Sequence, residues 1–129
     1  MALALPSQGK TLDEAKNDLA YEFADCAAFY TYSAVGTSSW IGEMPQAKEL
    51  TENSKKLAEQ GIGYSVMMTS QVVAKARFDL SMEGIKRTLG DEGFANWSLV
   101  LNDYLYRCKD AYNDPQKRLE YWRTHATPH

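Results

Sequence analysis

The feature that most constrains the fold is a helical pattern that starts near the N-terminus. Residues 11–14 read Thr-Leu-Asp-Glu. This is the form of a capping box, because the Thr hydroxyl can accept from a free helix N–H while the Glu reaches back. Gly36 suits the left-handed cap that ends many helices, so this first helix is predicted to end near Val35 and Gly36. Its apolar residues recur in steps of three and four, as on one helix face: Leu12, Ala15, Leu19, Phe23, Cys26 and Tyr30.

Similar patterns follow in the middle of the chain. Pro45 suits the first position of a second helix. Residues 61–65, Gly-Ile-Gly-Tyr-Ser, favour a turn that ends it, and the alternative is a kinked continuous helix. The third helix is predicted from Tyr64 to Leu89. Because its apolar arc is wide, it is predicted to be the central helix of the fold.

The last third of the chain predicts one long helix and one short one. Asp91 can cap the fourth helix, whose inner face includes Phe94, Trp97 and Cys108. Asp114 and Pro115 have the N-cap and first-position chemistry of a short final helix. No segment shows the alternation typical of strands. The predicted fold is therefore all-α, a bundle of four main helices plus a short C-terminal helix.

The length of 129 residues predicts a single domain. The bundle is predicted to span residues 11–125, preceded by a flexible segment 1–10 and followed by a frayed tail 126–129. Residues 2–4, Ala-Leu-Ala, have the small-x-small form of a signal-cleavage remnant. An ordinary cytosolic start is the alternative.

The charge and hydropathy exclude two classes of partner. The net charge is −3 and the pI is about 5.4. These values argue against nucleic-acid binding, which usually needs a basic face. The chain has no apolar run near the roughly 20 residues that span a bilayer.

The two cysteines, Cys26 and Cys108, both lie on predicted apolar helix faces. In a four-helix bundle the first and fourth helices are usually neighbours, and the small residues around Cys26 let two helices approach closely. We therefore expect a disulfide that joins these helices, which favours a periplasmic or secreted location. Two reduced core thiols in a cytoplasmic protein are the alternative.

We find no residues in a catalytic, cofactor-binding or metal-binding pattern. The two histidines, His125 and His129, lie in the C-terminal tail beside Pro128, so no base is placed near a nucleophile. The acids Asp18, Glu22 and Asp25 share the first helix but lie opposite its apolar stripe. We interpret them as a solvated acidic face. We therefore expect that the protein is not an enzyme and uses no cofactor.

Aromatic residues are unusually frequent, with eight tyrosines and three tryptophans. Tyr and Trp are favoured at interfaces because they bury a large area and keep a polar group. Trp40, in the loop after the first helix, is a candidate anchor. A second packing face inside the bundle is the alternative. The candidate partner surface comprises Tyr21, Phe29, Tyr32, Trp40, Tyr104, Tyr106, Tyr112 and Tyr121.

Two segments resemble a known group of proteins. Residues 25–30 read DCAAFY and residues 107–122 read RCKDAYNDPQKRLEYW. The pattern resembles small exported all-helical proteins of Gram-negative bacteria and their prophages, over roughly residues 19–122. The resemblance implies a helical fold, a periplasmic setting and a Cys26–Cys108 bond. It carries over no functional residues.

Together these observations predict a non-enzymatic exported helical protein that binds another protein. An immunity or inhibitor role and an accessory subunit of an envelope or phage assembly fit equally, and a homo-oligomer stays open. One alternative is a carrier of a small apolar ligand, held by Met67, Met68, Phe78 and Trp97. Another is a cytosolic phage or bacterial regulator with reduced thiols.

Overall fold

The structure is a computed structural model that describes residues 9–126. This part of the chain contains no strand, and the all-α bundle of four main helices and a short fifth is confirmed. The Ala-Leu-Ala motif and His129 lie outside the described residues. The helices are α1 (Leu12–Ser38), α2 (Ala47–Met68), α3 (Gln71–Leu89), α4 (Trp97–Asn113) and α5 (Pro115–Arg123).

The predicted capping box starts α1. The Thr11 hydroxyl accepts from the Glu14 N–H at 3.1 Å, and the Glu14 carboxylate accepts from the Thr11 N–H at 2.9 Å. The Thr11 hydrogen bonds lower the pKa of the Glu14 carboxyl. Just before the helix, the Lys10 N–H donates to the Arg123 carbonyl at 3.0 Å, which ties the start of α1 to α5. At its other end α1 continues past Gly36 to Ser38.

The central helix is α1, and the prediction that the third helix is central is wrong. Fourteen buried residues lie along α1, against four along α3. All four other helices pack on α1. The wide apolar arc predicted for this helix includes Val73 and Leu80, whose side chains are exposed. The small residues Ala20, Ala24 and Ala28 are buried along α1, so neighbouring helices can approach it from several sides.

The predicted turn at residues 61–65 is wrong, because α2 continues through both glycines to Met68. A Cβ at Gly61 would lie 2.8 Å from the Phe23 carbonyl oxygen and closer still to the Tyr112 hydroxyl. Gly61 is therefore a close-packing position and not a turn. The break comes at Ser70, whose hydroxyl caps α3 by accepting from the Val73 N–H at 3.1 Å.

A disulfide between Cys26 and Cys108 joins α1 to α4, as expected, and the alternative of two reduced core thiols does not describe the structure. The two Cα atoms lie 5.6 Å apart, within the range that a disulfide requires. Both cysteines are fully buried.

The acids of α1 are buried, and their interpretation as a solvated face is wrong. Asp18, Glu22 and Asp25 are 3%, 0% and 2% exposed. Asp18 pairs with Lys10. The Glu22 carboxylate accepts from Arg118 Nε at 2.6 Å and Nη2 at 2.8 Å, and from Trp122 Nε1 at 2.9 Å. The solvated-face interpretation fails because cationic side chains from outside α1 cover this stripe.

Asp25 completes the buried cluster. Its carboxylate accepts from Arg77 Nε at 2.7 Å and Nη2 at 3.0 Å, and from the Ser81 hydroxyl. Arg107 Nη1 lies 3.4 Å from Asp25 and 3.6 Å from Glu22, and so bridges the two acids. The hydrogen bonds to Asp25 raise the pKa of the Arg77 guanidinium. We call Glu22, Asp25 and their partners the buried ion-pair network.

Candidate functional site: an aromatic groove at one end of the bundle

The α1–α2 and α3–α4 connections meet at one end of the bundle and enclose a groove of about 420 Å³. Its aromatic walls bring together residues that are far apart in sequence. We call it the aromatic groove. Its lining residues are Ser33, Gly36, Thr37, Ser39, Trp40, Phe94 and Trp97.

Trp40 is positioned by the turn that follows α1. The backbone N–H of Trp40 donates to the Thr37 carbonyl at 3.0 Å. Its own carbonyl accepts from the N–H groups of Glu43 and Met44, each at 2.9 Å. The Trp40 side chain stays 50% exposed. Backbone hydrogen bonds therefore hold this residue in place while about half of its surface remains exposed.

Phe94 is positioned by the α3–α4 connection, residues 90–96. Gly90 and Gly93 have φ values of +66° and +61°, which glycine adopts far more readily than other residues. The backbone turns at both glycines, so no helix starts at Asp91. The predicted Asp91 cap is therefore wrong, and α4 begins at Trp97. The Asn96 side chain donates to the Leu89 carbonyl at 3.3 Å and ties the connection to α3.

Gly36 makes room for the Phe94 ring. A Cβ at Gly36 would lie 3.0 Å from that ring, which is tighter than ordinary van der Waals contact. The ring therefore packs directly over the α1 backbone. Any larger residue at position 36 would push Phe94 outward and change the shape of the groove.

A line of stacked rings supports the groove from inside the bundle. Phe94 meets Trp97 edge-on at 5.3 Å between centroids. Phe29 stacks on Trp97 and on Tyr104, each at 5.6 Å, with ring planes within about 4° of parallel. The Arg107 guanidinium lies 4.5 Å from the Tyr104 ring. The rings thus connect the groove to the buried ion-pair network, and burial raises the pKa of the Tyr104 hydroxyl.

Hydroxyl groups of α1 and α2 pair with one another beside the groove. The hydroxyls of Thr37 and Thr51 lie 2.7 Å apart. The Ser54 hydroxyl donates to the Ser33 hydroxyl at 3.3 Å. These hydroxyls are engaged within the bundle and hold α1 to α2 beside the aromatic walls.

The predicted partner surface is divided among several environments. Trp40 is the member that lines the aromatic groove. Tyr106 and Tyr121 are also exposed, but they lie on α4 and α5. Phe29 is 2% exposed, so its assignment to a partner surface is wrong. Its ring belongs to the internal stack because other helices cover α1 beyond its predicted apolar stripe.

The other predicted aromatics have neighbours within the bundle. The Tyr112 hydroxyl donates to the Leu57 carbonyl at 2.6 Å, and burial raises its pKa strongly. The Arg77 guanidinium lies over the Tyr21 ring at 5.2 Å. Tyr32 packs against the core. For Phe29, Tyr104 and Tyr112, the alternative of a second packing face describes the structure better.

Two groove residues, Phe94 and Trp97, are absent from the predicted partner surface because the sequence places them on an apolar helix face. The spacing of Gly90 and Gly93 was the available signal. Two glycines three residues apart favour successive turns over a helical start, which places Phe94 in a connection.

A second, larger groove of about 700 Å³ lies between α2 and α3. We call it the α2/α3 groove. Of the residues predicted to hold an apolar ligand, Phe78 lines it. Met67 is 81% exposed, Met68 packs beside a different part of the core and Trp97 lines the aromatic groove. The lining residues are Thr31, Ala58, Glu59, Ile62, Val66, Gln71, Lys75, Phe78 and Asp79.

Within residues 9–126, no group of three or more His, Cys, Asp or Glu side chains is arranged to hold a metal ion. His125 instead stacks on the Tyr121 ring, with 3.7 Å between centroids. In the same part of the chain, no helix is both long and apolar enough to cross a membrane.

Comparisons with protein-family models, with curated proteins and with solved structures gave no match to this chain.

Proposed function

We propose that this protein is a non-enzymatic, exported helical protein that binds another protein. It acts as an immunity protein or inhibitor, or as an accessory subunit of an envelope or phage assembly. The observation that carries the proposal is a half-exposed Trp40 in a groove with Phe94 and Trp97. Tryptophan is among the residues that most often dominate the binding energy of protein interfaces.

The surroundings of Trp40 support the same role. Ile41 and Met44, in the same connection, are also exposed. Aromatic residues and methionine are enriched in interface cores. The stacked rings beneath Phe94 and Trp97 hold this wall of the groove in place, which lowers the entropy lost on binding.

The experiment that tests partner binding places a photo-cross-linking amino acid at position 40 in the cells that make the protein. The matched control places it at position 106, on α4, where Tyr106 is 72% exposed. We expect one discrete cross-linked protein from position 40 and none from position 106. No adduct at position 40, or the same adducts from both positions, would contradict the proposal.

Export is supported by the disulfide, because such bonds persist mainly in oxidising compartments. This part of the proposal is tested by isolating the protein from its own cells without reductant, denaturing it and titrating its thiols. We expect no free thiol. Two free thiols would instead favour the cytosolic regulator.

A second candidate function is the transport of a small apolar ligand. The volume of the α2/α3 groove, about 700 Å³, lies within the range of ligand sites. Ile62, Val66 and Phe78 give it an apolar lining. Native mass spectrometry should then show a retained ligand that is lost in Val66→Asp. A clean mass of the ligand-free chain would exclude this candidate.

A further inference from the structure

We infer that the aromatic groove binds a basic segment of the partner, with a Lys or Arg side chain entering between the aromatic walls. This inference rests on the proposed function and names the chemistry of the partner. It follows from two independent features of the groove, its aromatic walls and the charges at its rim.

The aromatic walls are suited to a cation. The negative face of an aromatic ring attracts ammonium and guanidinium groups, and tryptophan does so most strongly. Trp40, Phe94 and Trp97 all line the groove. The structure already holds such contacts elsewhere, since guanidinium groups lie over the rings of Tyr104 and Tyr121 at 4.5 and 4.0 Å.

The two connections that carry Trp40 and Phe94 contain exposed acids, and we call these acids the rim. The two connections, residues 39–46 and 90–96, contain Glu43, Asp91 and Glu92 and have no Lys or Arg. Among the ion pairs of the described residues, none involves these three acids. Their charge is therefore available to a partner.

Two further features complete the electrostatics of the rim. The C-terminal end of α1 lies at the groove, and the partial negative charge of a helix C-terminus favours cations. The basic residues nearest in sequence, Lys48, Lys86 and Arg87, lie in the adjoining helical turns, and neither they nor the three acids are among the groove-lining residues. A cation in the groove would therefore meet the negative end of α1 beside aromatic faces, with the three acids in the same two connections.

The same charges disfavour a second copy of the chain as the occupant. A symmetric dimer places the same patch of both subunits face to face. Such a contact at this groove would bring two sets of Glu43, Asp91 and Glu92 together and would lose affinity by like-charge repulsion. An acidic partner would be repelled for the same reason.

The test is an NMR titration of the full, oxidised chain with short peptides. The probe is acetyl-Ala-Leu-Arg-Leu-Ala-amide, and two matched probes carry citrulline or Glu in place of Arg. We expect chemical-shift changes that cluster at residues 33–40 and 90–97 with the Arg peptide. We also expect the Arg peptide to bind about tenfold more tightly than the neutral citrulline peptide, and this preference should shrink in 0.5 M salt.

Two variants test the contributions of the aromatic walls and of the rim acids separately. Trp40→Ala should weaken binding of the Arg peptide about tenfold or more. The combination Glu43→Gln, Asp91→Asn and Glu92→Gln should remove most of the preference for Arg over citrulline. Both changes are at exposed positions, and Tyr106→Ala is the matched exposed control that should bind as the parent does.

Three results would overturn the inference. They are the absence of shifts at the groove, equal binding of the Arg and citrulline peptides, and a dimer in sedimentation that Trp40→Ala dissociates. If these appear while position 40 still cross-links to one partner, partner binding stands and only the basic chemistry fails. If the cross-link is also absent, both the function and the inference fail.

Discussion

Glu22 is a fully buried acid with two arginine neighbours. Its carboxylate lies among Arg118, Arg107 and the indole N–H of Trp122. These four residues come from three helices: Glu22 from α1, Arg107 from α4, and both Arg118 and Trp122 from α5. A buried pair of this kind adds little stability over a well-packed apolar pair, but the loss of one member strands the others without a partner.

We predict that Glu22→Gln destabilises the fold by about 3–5 kcal/mol, because it leaves the buried Arg118 guanidinium without its main counter-charge. Urea denaturation of the oxidised protein measures this change. The control is Glu52→Gln, at an exposed position of α2, for which we expect less than about 0.5 kcal/mol. Equal effects of the two substitutions would show that the network does not contribute to stability.

The sequence could not predict this burial. Helical spacing shows that Asp18, Glu22 and Asp25 share one face of α1, but it does not show what packs against that face. The partners of Glu22 and Asp25 include Arg77, 52 residues from Asp25, and Arg118, 96 residues from Glu22. Pairing over such distances depends on the tertiary arrangement and leaves no local signal.

Because the Tyr112 hydroxyl is buried, we predict that the fold loses stability at high pH. Burial raises the pKa of its hydroxyl well above the ordinary value of 10.0. The unfolded chain therefore ionises first as the pH rises, and unfolding then releases a proton. Stability from this group is complete below pH 10 and decreases above it, by up to about 1.4 kcal/mol per pH unit.

Urea midpoints measured between pH 8 and pH 11.5 test this prediction. Tyr112→Phe should make the alkaline decrease shallower, whereas Tyr106→Phe, at an exposed position, should leave it unchanged. A parent protein whose midpoint stays constant up to pH 11.5 would contradict it.

At the scale of helices, boundaries set by local chemistry were predictable and those set by packing were not. The Thr11 capping box and the Asp114 cap before Pro115 are both present, because each depends on side chains within three residues. A glycine in the sequence does not by itself show whether it forms a turn or lies at a close contact inside a helix. Gly61 and Gly63 suggested a turn but lie inside α2, whereas Gly90 and Gly93 form real turns.

The candidate site shows the same division. The exposed position of Trp40 was predictable because this residue follows the end of a helix, and its role as an anchor stays a prediction. Phe94 and Trp97 were missed because their role depends on where α4 starts and on which loop lies beside Gly36.

The two glycines of α2 form a matched pair for a test of packing. Gly61→Ala should destabilise the fold by about 1–3 kcal/mol, because its Cβ would collide with the Phe23 carbonyl and the Tyr112 hydroxyl. Gly63 has nothing within 4 Å of the position of a Cβ. Gly63→Ala should therefore stabilise the helix, by up to about 1 kcal/mol. Thermal melting of both variants gives the comparison, and the same sign of change for both would contradict this account of Gly61.

At the scale of the whole molecule, α1 is the hub on which the other four helices pack. The disulfide joins this hub to α4 across 82 residues of chain. Arg107 precedes Cys108, and its guanidinium bridges Glu22 and Asp25. The covalent bond and the buried ion-pair network therefore hold the same contact between α1 and α4.

The disulfide should supply a large part of the stability of the fold. Closing a loop of this length is worth about 4–5 kcal/mol on the chain-entropy model. We therefore expect Cys26→Ala combined with Cys108→Ala to lower the free energy of unfolding by this amount, as measured in urea. Treating the parent with a phosphine reductant should give the same result, and the double variant should not respond to the reductant.

Because both cysteines are fully buried, reduction of the native protein should be slow and should accelerate with urea, since it requires opening of the bundle. Fast reduction in the absence of urea, or equal urea midpoints for the reduced and oxidised chains, would show that α4 is held without this bond.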